Sequence, residues 1–401
     1  MVSKLPPDYL RTEKSFKLPI YVHERGLGTV GIKVGIVGVG NIASMLVQSV
    51  FYYKRLETSE GLIHEDIGGF KVTDIEFSYA VDVSRDKVGK DLSEAIFAYP
   101  NVVPKIAEVP KLGVEVRLGR VLDGVALHME EDFRPLKAPE PTVHEVAKDI
   151  EDSGTEVLVN LLPVGSEEAT HFYAEAAARA GVAFINAIPV FVASQPSELL
   201  KLFEEKRAPI LGDDIKGQLG STIVHRALAS LIRMRGARLL ETYQLNVGGN
   251  TDFKNMLVLD RLSSKKVSKT MAVASTQEEP QVLLKEGKVF AGPSGFVPFL
   301  GNTKISYMYM RAKAFAGLDV EIEVKLKVDD KAMATAVLVD VIRIAKVLRD
   351  IGIGGSVAWA SAFYFKHPPL HTKSDYDSLK MLYEGLESLG VSVRPKMLEY
   401  Y

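Results

Sequence analysis

Two stretches of the 401-residue chain hold residue types at spacings suited to chemistry. The first is Gly38-Val39-Gly40-Asn41-Ile42-Ala43, a G-x-G-x-x-A run set directly after the apolar, β-branched segment 33–37. In a strand–turn–helix setting, Gly38 allows a tight turn and Gly40 lets backbone approach a pyrophosphate with no Cβ in the way. Ala43 lets the helix pack close to the strand. The helix start offers unpaired N–H groups and partial positive charge to phosphates. That chemistry is dinucleotide binding. Asp82, at the end of the next strand, is the carboxylate expected to accept hydrogen bonds from the adenosine ribose. It lies 42 residues after Gly40, where about 20 is usual, so the segment 54–72 has to leave the sheet and return. Asp82 favours NAD, while the neighbouring Arg85 suits a 2′-phosphate.

The second stretch is 261–269, Arg-Leu-Ser-Ser-Lys-Lys-Val-Ser-Lys. On a helix Lys265 and Lys269 share a face, and two like charges there repel unless an anion sits between them. On charge alone a solvated basic patch is the better reading. Asp213 and Asp214 follow a short strand at 209–212. Adjacent carboxylates there suit a nicotinamide ribose, a metal or a substrate hydroxyl, or simply a helix start. Asn160 and Asn186 end two apolar strands, and Pro163-Val164-Gly165-Ser166 leads into a helix. Ligands in open α/β sheets bind at such strand ends. His225 reads as a packed or surface histidine rather than a base.

The elements that must position these residues follow in order. Residues 1–30 read as an arm packed on the surface. Strands at 33–37 and 74–83 bracket the first helix. A helix over 84–98 starts with a Ser84 cap, a short strand covers 114–117, and a helix covers 143–151. Residues 156–191 form a second strand–helix–strand unit whose continuous apolar runs fit strands covered on both faces. Residues 221–234 form an amphipathic helix. From about 238 the pattern changes to long alternating strands, including a hairpin of 304–314 and 320–328 joined around Gly317. An amphipathic helix over 337–348 then returns to the first domain, and the tail reads as short elements and turns. The fold class is α/β, a Rossmann-type doubly wound parallel sheet with a second α+β domain on a largely antiparallel sheet. The boundaries fall at 1–238, 239–339 and 340–401.

Composition narrows the functions. The net charge is −2 with 25% charged and 47% hydrophobic residues, ordinary for a globular protein, so neither a nucleic-acid nor a membrane surface is indicated. With no cysteine, disulfides, thiolate catalysis and Cys-ligated metals are excluded. The first residues hold no apolar core of signal-peptide length, and no apolar run reaches about 18 residues. The expectation is a cytoplasmic protein.

Beyond single motifs, the chain resembles the myo-inositol-1-phosphate synthase family in its archaeal and bacterial form, over about 32–370. The resemblance is carried by GVGNIASMLVQ from Gly38, LLPVGSEEA from Leu161, INAIPVFVAS from Ile185 and GDDIKGQLGSTIVHR from Gly212. It continues through TYQLNVGGNTDFKNML from Thr242, RLSSKKVSKT from Arg261, GPSGFVPFL from Gly292 and RDIGIGGSVAWASAFYFKHPP from Arg349. It implies an NAD-dependent enzyme that turns D-glucose 6-phosphate into 1L-myo-inositol 1-phosphate. The family oxidises C5 of the open-chain sugar, enolises the ketone, closes the ring by an aldol step and reduces C5 again, with no net redox change. Enolate, alkoxide and phosphate charges all call for fixed cations, and a lysine of lowered pKa moves protons. By resemblance Lys265, Lys269, Lys304 and Lys366 are the catalytic lysines, with Lys313 the weaker candidate for the place given to Lys304, and Asp214 and Asp252 join them. The cofactor residues implied are Gly38, Val39, Gly40, Asn41, Ile42, Asp82, Leu162, Pro163, Ser166, Asn186, Asp213 and Asp330. Some members use a divalent metal ion, for which Asp252 and Asp330 are the oxygen ligands to consider. The chain departs from its relatives at Asp330: it reads Asp329-Asp330-Lys331-Ala332 where many read W-D-S-P-N. The family assembles as a homotetramer through the central sheet. Two rivals stand beside this reading: an NAD(P)-dependent oxidoreductase of homoserine-dehydrogenase-like plan, and a non-catalytic NAD-binding scaffold.

Overall fold

The structure, a computed structural model, describes residues 31–395; the expected N-terminal arm lies outside them. The first half runs β1 (Ile32–Val37), α1 (Asn41–Leu56), β2 (His64–Ile67), β3 (Ile75–Asp82), α2 (Leu92–Ala95), β4 (Val116–Leu118), α3 (Glu130–Phe133), α4 (Val143–Asp152), β5 (Val157–Asn160), α5 (Glu167–Arg179), β6 (Ala183–Asn186), α6 (Glu198–Glu205), β7 (Pro209–Leu211) and α7 (Ser221–Met234). The second half runs β8 (Arg238–Gly248), α8 (Thr251–Asn255), α9 (Leu259–Ala274), α10 (Pro280–Lys285), β9 (Val289–Phe296), β10 (Thr303–Lys313), β11 (Asp319–Asp329), α11 (Asp330–Ile351), β12 (Gly355–Ser356), α12 (Ala358–Tyr364), α13 (Asp375–Ser388) and β13 (Val393–Pro395).

Seven parallel strands form the large sheet in the order β12-β7-β6-β5-β1-β3-β4. β5, β6 and β7 are buried along their whole length, as apolar runs covered on both faces must be. α1, α11 and α12 pack into one core layer, and α4, α5 and α6 into the other. The chain leaves β1 toward β3 on one side and reaches β5 on the other, so the topological switch lies between β1 and β5. A crevice opens there at the strand C-termini.

The small sheet has the order β11-β10-β8-β9. β10 pairs antiparallel with both β8 and β11, while β9 joins β8 in parallel. Along β10 the residues alternate: Lys304, Ser306, Met308, Met310 and Ala312 are buried. α7 and α9 pack on this sheet. α11 begins at the end of β11 and runs unbroken across 339/340 back to the large sheet, where fourteen of its residues are buried.

Three local readings change. Residues 84–98 form turns rather than one helix: Gly89 adopts φ +80 and donates to the Val116 carbonyl, which holds the segment against β4. Only Leu92–Ala95 is helical, and its cap is Asp91, which accepts from Ser93 N at 2.9 Å. The segment 54–72 contains β2, which pairs with β13. The tail carries the fourteen-residue helix α13.

Candidate active site

One cavity runs from the glycine turn after β1 to a cluster of lysines beneath the small sheet. At the first end, Gly38 has φ +89, and a Cβ there would lie 3.0 Å from the Leu161 carbonyl; only glycine suits it. Gly40 is different. Its φ is −91 and a Cβ would meet nothing within 4 Å. Protein packing therefore gives no reason for glycine there, whereas a ligand seated on the turn does. α1 starts with no side-chain cap, so its first amides are free for an anion. Gly38, Gly40, Asn41, Ile42, Asp82, Leu162 and Pro163 line the cavity. Asp82 Oδ2 accepts from Val39 N at 2.8 Å and Oδ1 from Ser84 N at 2.9 Å, so Val39 acts here through its backbone. These residues fit a dinucleotide.

The lysine end is assembled from segments far apart in sequence. The chain after β7 pairs with residues 364–367: Lys366 N donates to the Asp214 carbonyl at 2.7 Å, and Lys216 N to the Tyr364 carbonyl at 2.8 Å. This brings Lys366 Nζ within 2.8 Å of Asp214 Oδ1. From α9, Lys265 Nζ reaches the same oxygen at 2.9 Å and Ser268 Oγ donates to Oδ2 at 2.7 Å. Asp214 has φ +62, a strained conformation that aspartate tolerates better than most residues. From β10, Lys304 pairs with Asp330 of α11. Asn250 caps α8 and fixes Asp252 in its first turn, where it pairs with Lys331 at 3.1 Å.

Five lysines (265, 269, 304, 331 and 366) thus face three aspartates (214, 252 and 330) around one cavity. Burial alone would raise the Asp214 carboxyl, but Lys265 and Lys366 reverse this and hold it well below the usual range. Asp330 is held low in the same way by Lys304 and Lys331. Burial would push Lys265 down, yet Asp214 and Asp252 keep it above its ordinary value. Burial outweighs the attraction of Asp214 and leaves Lys366 pushed down to about 8. Lys269 differs from its neighbours: it is buried and makes no hydrogen bond or ion pair among the described residues. Burial, followed by Lys304, Lys366 and Lys265, drives its pKa well below the ordinary lysine value. Its ammonium therefore gives up its proton more readily than an ordinary lysine does, and the amine so formed can take one.

The structure separates some residues that the sequence grouped. Asp213 and Asn186 do not line the cavity. Asp213 is fully buried on the far side of its loop, accepting from Asn186 Nδ2 at 2.8 Å, from Ala193 and Ser194 amides and from Ser194 Oγ. The two carboxylates have wholly different partners, and only Asp214 faces the lysines. Asn160 Nδ2 joins this network through Asn186 Oδ1 at 3.0 Å. Ser166 is buried and donates to the Pro163 carbonyl; it shapes the turn and does not line the cavity. Lys313 lies at the hairpin end, paired with Asp319 at 2.5 Å. His225 is buried between Thr242 and Gln244. Asp252 and Asp330 are both claimed by lysines, and among the described residues no three His, Asp or Glu side chains gather as metal ligands do. The pair does not fit a divalent ion.

Four contributors escaped the sequence reading. Lys331 follows Asp330 directly, and Ser268 lies three residues after Lys265 on the same helical face; those spacings were the available signals. Lys87, which bonds the Val39 carbonyl at 2.8 Å, and the start of α7 had none. There Gly217, Gly220, Ser221 and Thr222 line the cavity, α7 has no side-chain cap, and the buried Ser221 Oγ has no partner.

Fold and site together define the class: a Rossmann-type α/β protein whose second, mixed-sheet domain closes over a lysine-rich cavity. Residues 220–331 match the family model described as myo-inositol-1-phosphate synthase. The chain is 47% identical over 348 residues to the inositol-3-phosphate synthase of Mycolicibacterium smegmatis, covering 86% of this chain and 95% of that one. Against the inositol-3-phosphate synthase of Mycobacterium tuberculosis the figures are 46% over 347 residues, 86% and 93%. The crystal structure of Ari2 superposes with a TM-score of 0.71 at 32% identity, covering 90% of this chain and 99% of that one. The inositol-3-phosphate synthase of Caenorhabditis elegans, at 16% identity, shares the fold with a TM-score of 0.72, covering 90% and 86%. The chain belongs to the myo-inositol-1-phosphate synthase family and is an enzyme.

Proposed function

We propose that this enzyme converts D-glucose 6-phosphate to 1L-myo-inositol 1-phosphate with NAD held on the glycine turn, in a cycle without net redox change. The observation that carries the reading is Lys269: a buried, unpaired amine ringed by Lys265, Lys304 and Lys366 in the same cavity as the glycine turn. Gly38, Gly40, Asn41, Ile42 and Asp82 hold the cofactor. When bound, NAD supplies the reversible oxidation at C5 of the open-chain sugar.

The chain's own groups do the rest. A ketone at C5 acidifies the protons on C6, and Lys269, in its deprotonated form, takes one of them. The negative charge that grows on the C5 oxygen is met by Lys265 and Lys366, which Asp214 fixes in place; preorganised cations in a buried site stabilise such charge without rearranging. C6 then bonds to the C1 aldehyde, closing a six-membered ring, and the new C1 alkoxide receives a proton from protonated Lys269. The uncapped start of α7, with the free Ser221 Oγ, suits the phosphate. Even without Lys269, the lysines at this end of the cavity outnumber the aspartates, which suits an anionic substrate.

The reading extends to assembly and location. The outer face of the small sheet exposes Tyr243, Leu245, Phe290 and Tyr307 by between 37% and 44%, an apolar patch suited to a homotetramer. Among the described residues no helix is long and apolar enough to cross a membrane, and a charged sugar phosphate substrate fits a cytoplasmic enzyme.

The test is purified protein with glucose 6-phosphate and catalytic NAD, followed by phosphorus NMR and NADH absorbance. Inositol phosphate without net NADH is expected. Net NADH with no inositol phosphate would point to an ordinary dehydrogenase, and cofactor binding with no conversion to a scaffold.

A further inference from the structure

Lys331 occupies an unusual place. It is the second residue of α11, in the first turn of a helix, where the helix dipole disfavours a cation. A lysine in such a place ordinarily carries its ammonium out to water. Here the side chain is buried, with 7% exposure, and its Nζ stands 3.1 Å from Asp252 Oδ2 and 3.7 Å from Asp330 Oδ2. It faces the cavity together with both carboxylates.

A hard divalent cation would need those two carboxylates, because it is bound by oxygen ligands gathered at short range. The Lys331 ammonium already stands between them, and Lys304 holds Asp330 from the other side. A divalent ion entering there would meet two lysine charges. An ammonium can still do part of what a metal does in such a site: it is a fixed positive charge, and only some of its three donors are taken by carboxylates, which leaves one for a substrate oxygen.

We infer that Lys331 is the built-in cation of this site, standing between Asp252 and Asp330 where a divalent metal would otherwise sit, so that turnover needs no added metal. The inference rests on the proposed reaction for its activity readout. It also has a readout that does not depend on that reaction.

The experiment compares wild type with Lys331→Ser, both stripped with EDTA, by two measurements. In the first, Mn²⁺ is titrated and bound ion followed by electron paramagnetic resonance. Wild type is expected to bind no stoichiometric Mn²⁺ in the cavity. Lys331→Ser is expected to bind one, and to lose it again when Asp252→Asn is added. In the second, wild-type turnover should change less than about twofold between EDTA and added Mg²⁺ or Mn²⁺. Lys331→Ser turnover should fall about 100-fold in EDTA and recover by about tenfold or more with metal. A thermal melt and NAD titration check that the variant folds; if it does not, the wild-type arms still decide. Stoichiometric Mn²⁺ on wild type that Asp252→Asn abolishes would overturn the inference. So would loss of wild-type turnover in EDTA that metal restores, or a folded Lys331→Ser that binds no Mn²⁺. If no variant makes inositol phosphate under any condition, it is the proposed reaction that fails, and the Mn²⁺ titration still decides the role of Lys331.

Discussion

The two ends of the cavity are built by different means. At the glycine turn the backbone works: Gly38 takes a conformation closed to other residues, Gly40 leaves an open space, and α1 presents free amides. At the lysine end side chains do the work, brought from the loop after β7, from α8, α9, β10 and α11, and from the segment after α12. One end fails by steric block, the other by upsetting a charge balance in a buried setting. The contrast is sharpest between two consecutive residues. Asp213 is surrounded by neutral donors, and burial pushes it up to about 7. Asp214, equally buried, sits against two lysines and is held well below the ordinary range.

If this division holds, changes at the two ends should have separable effects. The largest is expected for Lys269→Ala, which removes the unpaired amine: turnover should fall on the order of 10³-fold while NAD affinity, read by calorimetry, stays unchanged. A parallel loss of NAD affinity would show that the ends are not independent. Next is Asp214→Asn. Asparagine tolerates the same positive φ, so the change isolates charge. Turnover should fall by about 100-fold, as Lys265 and Lys366 lose their shared carboxylate.

At the opposite end, Gly40→Val should weaken NAD binding by about tenfold or more, roughly 1.4 kcal/mol or above. It should leave the melting temperature without NAD almost unchanged, because nothing lies within 4 Å of the added Cβ. A large loss of stability with NAD affinity intact would reverse the assignment. The smallest effect concerns Asp213. Its folded pKa is raised, so it contributes stability that is full below about pH 4 and is lost as the pH rises through about 7. Between pH 5 and 8 the Asp213→Asn variant should lose fewer degrees of melting temperature than wild type. Parallel curves would refute the buried, raised carboxyl.

The same division explains what was legible in the sequence. The glycine turn, β1, β3, β5, β6 and α7 announce themselves locally, because a backbone conformation leaves its mark on consecutive residues. The lysine pair 265/269 was visible as a helical spacing, but charge alone favoured a solvated patch; only resemblance joined it to Lys304 and Lys366. Asp213 and Asp214 were inseparable in the sequence, since their opposite facing depends on pairing with residues 364–367. Lys331 is legible in the sequence only as the neighbour of Asp330; its closer partner, Asp252, comes from a different element, α8. The turns at 84–98 were mistaken for a helix because their structure depends on contacts with β4 and not on their own pattern.

The central claim is that both ends serve one closed redox cycle on one sugar phosphate. The most direct test is turnover of glucose 6-phosphate carrying deuterium at C5, with unlabelled NAD in excess. The account expects inositol phosphate that keeps the deuterium at the carbon derived from C5, with none accumulating in the free nicotinamide pool. Product that has lost the label, or deuterium appearing in free NADH, would contradict it.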